Sequence, residues 1–275
     1  MMHWWQAMAL GVVEGVTEYL PVSSTGHLIL TQRLLRIPAD QAAGAYAICI
    51  QAGAIVAVLW LYWPAVKKMV LGVCGKDRQG LGLAANIIMA FLPAAVIGVL
   101  FDREIERYLF GLWPITLAWL VGGLVILLVP RWRQRREAEG SLGLSLTMLD
   151  WRMALWIGLA QCLAMWPGTS RSLVTILAGT LVGLKLGAAV EFSFLLGLVT
   201  LTAATGFKAV HGGQAMVEAY GVTSMVIGFV SATISAAIAV KWMVGYLNRH
   251  SLLIFGIYRV VLAVAVALLL GGIPG

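Results

Sequence analysis

The sequence predicts an all-α polytopic membrane protein arranged as an inverted-topology repeat. Each half would be a re-entrant helix hairpin followed by three transmembrane helices, giving six full spans and two re-entrant pairs. Three observations carry this expectation. The chain has 275 residues, 61% of them hydrophobic and only 11% charged, far above the apolar share of a soluble domain. Several apolar runs reach the ~20 residues that a helix needs to cross a bilayer. Two hydrophobic segments are interrupted by Pro-containing polar stretches, and the basic residues between segments favour one face. A transmembrane barrel would instead alternate over segments of about ten residues, and no such pattern is present.

Taken in order, residues 3–20 form an apolar helix that ends at Pro21, and a second short helix covers roughly 23–35. Each piece is short for a crossing, so the pair reads as a hairpin that enters and leaves on one side. Irregular backbone at membrane depth is tolerated only where it is buried in protein or lines a cavity. Spans follow at about 45–64, 83–101 and 113–130, and the basic run Arg131-Trp132-Arg133-Gln134-Arg135-Arg136-Glu137 closes the first half. A second broken segment, 151–165 and 170–184, is interrupted by Pro167-Gly168-Thr169-Ser170-Arg171-Ser172, and three spans follow near 187–207, 222–244 and 252–271. The chain is thus one integral membrane domain over 1–275. Its first repeat covers 1–135, with the re-entrant pair at 3–35, and its second covers 150–275, with the re-entrant pair at 151–184.

Charge sets the orientation. Lys67, Lys68, Lys76, Arg78, the five arginines of 131–152, Lys185, Lys241 and Arg249 place twelve basic residues on one face. The opposite face carries Arg33, Arg36, Arg103, Arg107 and Lys208, offset by Asp40, Asp102, Glu104, Glu106 and Glu218. By the positive-inside rule the first face is cytoplasmic and both termini lie outside. The first broken hairpin then enters from outside and the second from inside, which is the pattern of an inverted repeat. A sequence echo agrees: Glu14 precedes Ser23 by nine residues, and Gln161 precedes Ser170 by nine. The net charge of +7 is explained by topology, so no nucleic-acid partner is expected. Cys49, Cys74 and Cys162 are scattered and show neither a disulfide framework nor metal spacing. The N-terminus lacks a basic n-region and a small-residue cleavage site, so it is not read as a cleaved signal.

The chemistry concentrates in Glu14-Gly15-Val16-Thr17-Glu18-Tyr19-Leu20-Pro21-Val22-Ser23-Ser24-Thr25-Gly26-His27. Ionisable groups at membrane depth are costly, which makes them functional by default. Glu14 and Glu18 are four residues apart and share a helix face. They can hold a divalent cation through oxygen ligands, or repel so that one keeps a proton for general acid–base work. The plainer alternative is a satisfied buried pair with Arg171 as partner. Ser23, Ser24 and Thr25 stand where the second short helix begins, a position suited to capping and to phosphate binding. His27, one turn past Ser24, could take a proton, attack phosphorus or protonate a leaving oxygen. In the second break Gly168 permits close backbone approach, Arg171 suits bidentate phosphate binding, and Ser170, Ser172 and Thr175 add hydroxyls. If the hairpins meet, two helix N-termini and one arginine face two glutamates, a receptor for phosphate or pyrophosphate. The break at Ser23–Ser24 should then lie within side-chain reach of Ser170–Arg171. Glu191 reads as structural, pairing with Lys185 or supporting the site. Arg259 is expected to neutralise a buried acid or a helix end. The eleven tryptophans suit an interfacial belt, with Trp4 and Trp5 also placed to shape a lipid groove.

On these two motifs, and on Glu191-Phe192-Ser193-Phe194-Leu195-Leu196, the sequence resembles the bacterial undecaprenyl-diphosphate phosphatase family, also called the bacitracin-resistance protein family. The resemblance covers essentially the whole chain. Tyr19 and Thr169 stand where the family often carries phenylalanine. The resemblance implies hydrolysis of a C55 polyprenyl diphosphate to the monophosphate and inorganic phosphate, which recycles the lipid carrier of cell-wall synthesis and confers bacitracin resistance. It implies a bacterial inner-membrane protein whose active site faces the periplasm. Family roles fall on Glu14 and Glu18 (metal or acid–base), Ser24 and His27 (nucleophile candidates) and Arg171 (diphosphate binding), with magnesium or calcium as cofactor. The partners are then the lipid diphosphate and membrane lipids, and a homodimer is compatible with the sequence. Whether Ser24, His27 or a positioned water attacks is left open. The competing reading is a lipid-phosphate flippase or anion transporter, because inverted repeats with broken helices are also a transporter design.

Overall fold

The computed structural model describes residues 2–38, 41–138 and 143–271, the side chains of 41, 102, 106, 129–138, 208–219 and 271 excepted. Ten α-helices carry the described chain: α1 (Trp4–Glu18), α2 (Ser24–Leu34), α3 (Gln41–Leu61), α4 (Trp63–Val73), α5 (Arg78–Leu109), α6 (Leu112–Ala138), α7 (Trp151–Gln161), α8 (Arg171–Leu181), α9 (Leu186–Leu247) and α10 (Leu253–Gly271). Five segments are long and apolar enough to cross a membrane: Ala42–Leu61, Arg78–Phe101, Leu186–Phe207, Tyr220–Leu247 and Leu253–Leu270. A sixth is reached through Arg103–Leu109 and Leu112–Leu128, which meet at a bend of 88°. These match the six expected spans one for one. Asp40 and the side chains of Asp102, Glu106, Arg131, Arg133, Arg135, Arg136, Glu137, Lys208 and Glu218, on which part of the charge argument rests, lie outside the described residues.

Three stretches differ from expectation. Residues 65–73, expected as loop, lie in α4, which starts at Trp63 with Pro64 in its first turn, where a missing N–H costs nothing. α5 starts at Arg78 rather than near 83 because Asp77 caps it, accepting from the Gly80 N–H at 2.9 Å. It also runs past 101 to Leu109, since charged residues do not end a helix that has left the apolar layer. α9 carries two of the expected spans in one 62-residue element, divided at Gly221 (φ 72°, ψ 156°), a conformation that glycine adopts without a Cβ clash.

Small residues let these helices approach. α1 packs on the second half of α9, where a Cβ on Gly11 would meet Ser231 Cβ at 3.0 Å and the Gly228 carbonyl carbon at 3.1 Å. α7 packs on α5 through Gly158, and α6 on α10 through Gly123 facing Gly256. Thr233 donates to the Gly53 carbonyl at 3.1 Å, tying α3 to α9. Lys241 lies 5.2 Å from the Trp60 ring centroid, so the ends of α3 and α9 meet, in agreement with their expected placement on one face. The largest buried cluster joins Tyr19, Leu20 and Val22 of the first break to Phe192, Phe194 and Leu195 of α9.

Close approach predicts opposite signs for two like substitutions. A Cβ at Gly158 would sit 2.7 Å from Ala90 Cα and 2.9 Å from its carbonyl carbon, while nothing lies within 4 Å of one at Gly44. Gly158→Ala should lower stability by about 1–3 kcal/mol through overpacking. Gly44→Ala should be neutral or gain up to ~1 kcal/mol of helix propensity. Thermal unfolding midpoints of both purified variants in one detergent check this.

Candidate functional site

The first break runs from Tyr19 to Ser23 between α1 and α2, and three successive carbonyls there, Leu20 to Val22, have no helical partner. Each is met by a side chain from another helix. Leu20 O accepts from Ser172 Oγ at 2.9 Å, Pro21 O from Arg259 Nη1 at 3.3 Å and Val22 O from Trp119 Nε1 at 3.0 Å. Ser23 O accepts the first backbone N–H of α2, from His27 at 3.4 Å, and also the His27 Nδ1 proton at 2.6 Å. Ser23 itself has φ 74° and ψ 102° and no side-chain cap bond. Its counterpart before α8, Ser170, has φ 73° and ψ 113°, and its hydroxyl accepts from Leu173 N–H. Both are non-glycine residues at positive φ, a conformation that costs about 1–3 kcal/mol and persists only where surroundings overdetermine it. Serine thus caps only the second of the two helices.

The two breaks meet. Ser170 Oγ reaches Leu20 O at 3.5 Å, and Arg171 Nη2 stands 3.5 Å from Glu18 Oε1. The other Glu18 oxygen accepts a short hydrogen bond from Ser24 Oγ. Glu18 therefore joins the first residue of α2 to the first residue of α8. Glu14, one turn earlier on α1, is 1% exposed, and its carboxyl group is within hydrogen-bonding reach of Glu18. Its Oε2 has no partner. Arg171 also donates through Nη1 to Ser193 O at 3.0 Å, and its guanidinium lies 5.5 Å from the Tyr19 ring centroid. Arg171 Nε and the Tyr19 hydroxyl are likewise buried without a partner. A buried unpaired polar atom costs about 1–3 kcal/mol, so three around one ion pair mark a place shaped for a polar ligand.

His27 is placed differently. Its Nδ1 faces Ser23 O, and its Nε2 lies 2.7 Å from the Tyr258 hydroxyl. The ring stacks parallel to Tyr258 and meets Trp119 edge-on at 5.3 Å. Both ring nitrogens are thus engaged away from the Glu18–Arg171 pair.

Of the other expected site residues, Ser172 and Ser170 hold the Leu20 carbonyl, and Thr175 Oγ1 bonds Ser193 Oγ at 2.6 Å. Gly168 (φ 96°) approaches backbone rather than open space, since a Cβ would lie 2.7 Å from Ile115 O. Thr25 is half-buried beside Ser24. Arg259 was expected against an acid or a helix end. It is fully buried and gives its donors to Trp119 O, Pro21 O, Ala118 O and Gly168 O at 3.4, 3.3, 2.8 and 2.9 Å. The charge facing Glu191 is Lys68 of α4. Sequence reasoning missed Ser193, Trp119 and Tyr258. Ser193 lay within the third motif quoted above, and Tyr258 adjoins a buried arginine, which was the available signal.

Among the described residues no group of three His, Cys, Asp or Glu side chains could hold a metal. The Glu14–Glu18 pair fits a hard divalent cation only if ligand oxygens complete the shell, as is usual for magnesium on phosphates. The unpartnered Glu14 Oε2 is consistent with that arrangement.

A family model described as "Bacitracin resistance protein BacA" matches residues 7–265. Among curated proteins, the chain is 42% identical over 266 residues to "Undecaprenyl-diphosphatase" of Sorangium cellulosum, covering 96% of this chain and 86% of that one. It is 41% identical over 261 residues to "Undecaprenyl-diphosphatase 2" of Rhodospirillum rubrum, covering 95% and 93%. It is also 41% identical over 263 residues to "Undecaprenyl-diphosphatase" of Methylococcus capsulatus, covering 96% and 93%.

Arg259 ties both breaks and α6 to one guanidinium. Arg259→Met should cost about 3 kcal/mol or more, since several carbonyls lose a charged donor at once. Arg259→Lys should not restore it, because an ammonium cannot reproduce the planar fork. Thermal unfolding of both variants measures this.

Proposed function

The chain belongs to the bacitracin resistance protein BacA family, and from that premise we propose that it hydrolyses undecaprenyl diphosphate to undecaprenyl phosphate and inorganic phosphate at the junction of the two breaks. The observation that carries the mechanism is the Ser24–Glu18–Arg171 contact. A serine hydroxyl bonded to a carboxylate is a nucleophile beside its base. An arginine with an unspent donor next to both is an anion receptor. A transporter has no need of the first element.

In this reading the prenyl tail stays among the membrane lipids and the diphosphate enters against Arg171. Ser24 Oγ attacks the terminal phosphorus while Glu18 accepts its proton. The Oγ–P bond forms, the anhydride P–O bond breaks, and undecaprenyl phosphate leaves. Glu18 passes that proton to the departing phosphate, a water then attacks the phosphoserine, and the water's proton goes to Glu18 and from it to Ser24 Oγ as inorganic phosphate is released. The free donors of Arg171 neutralise the charge that spreads over the transferring oxygens, the main demand of phosphoryl chemistry. Glu14 and Glu18 would hold a magnesium or calcium ion together with phosphate oxygens, and such an ion supplies further charge neutralisation. Ser23, Thr25, Ser170, Ser172, Thr175 and Gly168 shape the pocket by fixing the two breaks, which preorganises the contacts.

The same proposal makes the two halves an inverted repeat with re-entrant hairpins α1–α2 and α7–α8. Three features support it. Ser23 and Ser170 share one unusual backbone conformation. The first helix of each hairpin packs on the second span of the other half, α1 on the second part of α9 and α7 on α5. The third spans, α6 and α10, pack on each other. The distribution of basic residues supports an orientation with the site toward the outer side, and the family membership supports an inner-membrane location. Release of the carrier for reuse links the activity to peptidoglycan synthesis and to bacitracin resistance.

Ser24→Ala, Glu18→Ala and Arg171→Ala should each reduce phosphate release by about 10³-fold or more without changing elution on size exclusion. Near-normal turnover removes the residue concerned from the mechanism. Acid quench during turnover of terminally labelled substrate should leave label on Ser24, and label on His27 would overturn the assignment. Phosphate release by detergent-solubilised protein needs no gradient, so binding without release would favour the transporter.

A further inference from the structure

His27 sits in the motif that carries the reaction, yet its ring faces away from the acid pair. A carbonyl oxygen can only accept, so the 2.6 Å contact between His27 Nδ1 and Ser23 O requires the proton on Nδ1. In the neutral ring Nε2 is then an acceptor, and the Tyr258 hydroxyl at 2.7 Å must be its donor. The Ser23 carbonyl fixes the tautomer, and a residue far away in sequence, on α10, anchors the other ring nitrogen. The parallel stack of the two rings, tilted by 9°, and the edge of Trp119 hold the imidazole in that plane.

The carbonyl that His27 grips belongs to Ser23, the residue at φ 74°. Its neighbour is Ser24, whose hydroxyl bonds Glu18, and Glu18 faces Arg171. One polar chain therefore runs from the Tyr258 hydroxyl through His27 to the Ser23 peptide, and from Ser24 through Glu18 to Arg171. The orientation of Ser24 depends on the turn at Ser23, and that turn is costly unless something holds it.

We propose that Tyr258 is a positioning residue for the phosphatase reaction, and that His27 is a strut rather than a nucleophile. Tyr258 anchors Nε2 of the Nδ1–H tautomer, His27 clamps the Ser23 carbonyl, and the clamped turn aims Ser24 at the terminal phosphorus. This rests on Ser24 as the attacking group, but the tautomer it requires is observable without turnover.

The test uses the full-length protein with ¹⁵N-labelled histidine in detergent, with the His27 resonances assigned by their loss in His27→Gln. The wild type should show a protonated Nδ1 and an unprotonated Nε2 that accepts a hydrogen bond. Tyr258→Phe keeps the stacked ring and deletes only the hydroxyl. It should leave the proton on Nδ1, abolish the hydrogen-bond shift of Nε2 and lower kcat about 3- to 10-fold, the loss of one hydrogen bond's net worth, with KM within twofold. His27→Gln, whose amide can still donate to Ser23 O, should retain about 3- to 10-fold more activity than His27→Ala, the net worth of the one side-chain hydrogen bond that clamps the carbonyl. A proton on Nε2 in the wild type overturns the inference. So does a Tyr258→Phe spectrum and kcat equal to wild type, or a His27→Gln variant as inactive as His27→Ala. Label found elsewhere than Ser24 after acid quench would instead defeat the phosphatase mechanism while leaving the tautomer result standing.

Discussion

Three successive carbonyls, from Leu20 to Val22, have no helical N–H to bond, and they are buried inside the protein. Each unsatisfied group at such a depth costs several kcal/mol. The fold answers with donors from three other helices, Ser172, Arg259 and Trp119, and the next carbonyl, Ser23 O, takes the His27 ring as a second donor beside the His27 N–H. These donors belong to α8, α10, α6 and α2. The requirement to satisfy one short irregular stretch therefore fixes where four helices stand, and the site inherits its rigidity from that requirement. Loosening any donor does not merely remove a bond. It frees a carbonyl within a few residues of Ser24.

The two buried arginines show how structure and chemistry divide the same side chain. Arg259 has given four of its five N–H donors to backbone oxygens, which leaves no free fork for a ligand. Arg171 gives one donor to Ser193 O and one to Glu18, and its Nε remains unpartnered. A guanidinium is a good phosphate receptor only if some of its fork is free. The unspent capacity, more than burial or charge, separates the binding arginine from the scaffold arginine. Glycine contributes to both placements: Gly122 lies against Arg259 and Gly197 against Arg171, and a larger residue would occupy the guanidinium's space.

Much of this was legible in the sequence because it is local. Composition and apolar run length give the six spans, and Glu14, Glu18, Ser24 and Arg171 stand out as polar groups beside helix breaks. What escaped is long-range or hidden by a simple expectation. The partner of His27 lies 231 positions away, and no periodicity connects it. The role of Arg259 could not be read because its partners are backbone carbonyls, which carry no sequence signal. α4 was taken for loop because Lys67 and Lys68 lower its hydropathy, although Pro64 was a visible start signal. The early start of α5 had a signal too, in Asp77 three residues before Gly80.

The two breaks share a backbone conformation at Ser23 and Ser170 but not their side chains. Counted from Ser23 and Ser170, the next residue is Ser24 in the first break and Arg171 in the second. Nine residues earlier stand Glu14 and Gln161, and five residues earlier stand Glu18 and Met165. The backbone conformation at the two serines is the same, but the first break carries both acids while the second carries a cation. Acids at both breaks would set four carboxylates against each other and repel a diphosphate, and arginine at both would bind it without attacking it. In the mechanism proposed above, this asymmetry presents a nucleophile with its base and an anion receptor to one point from the starts of two helices.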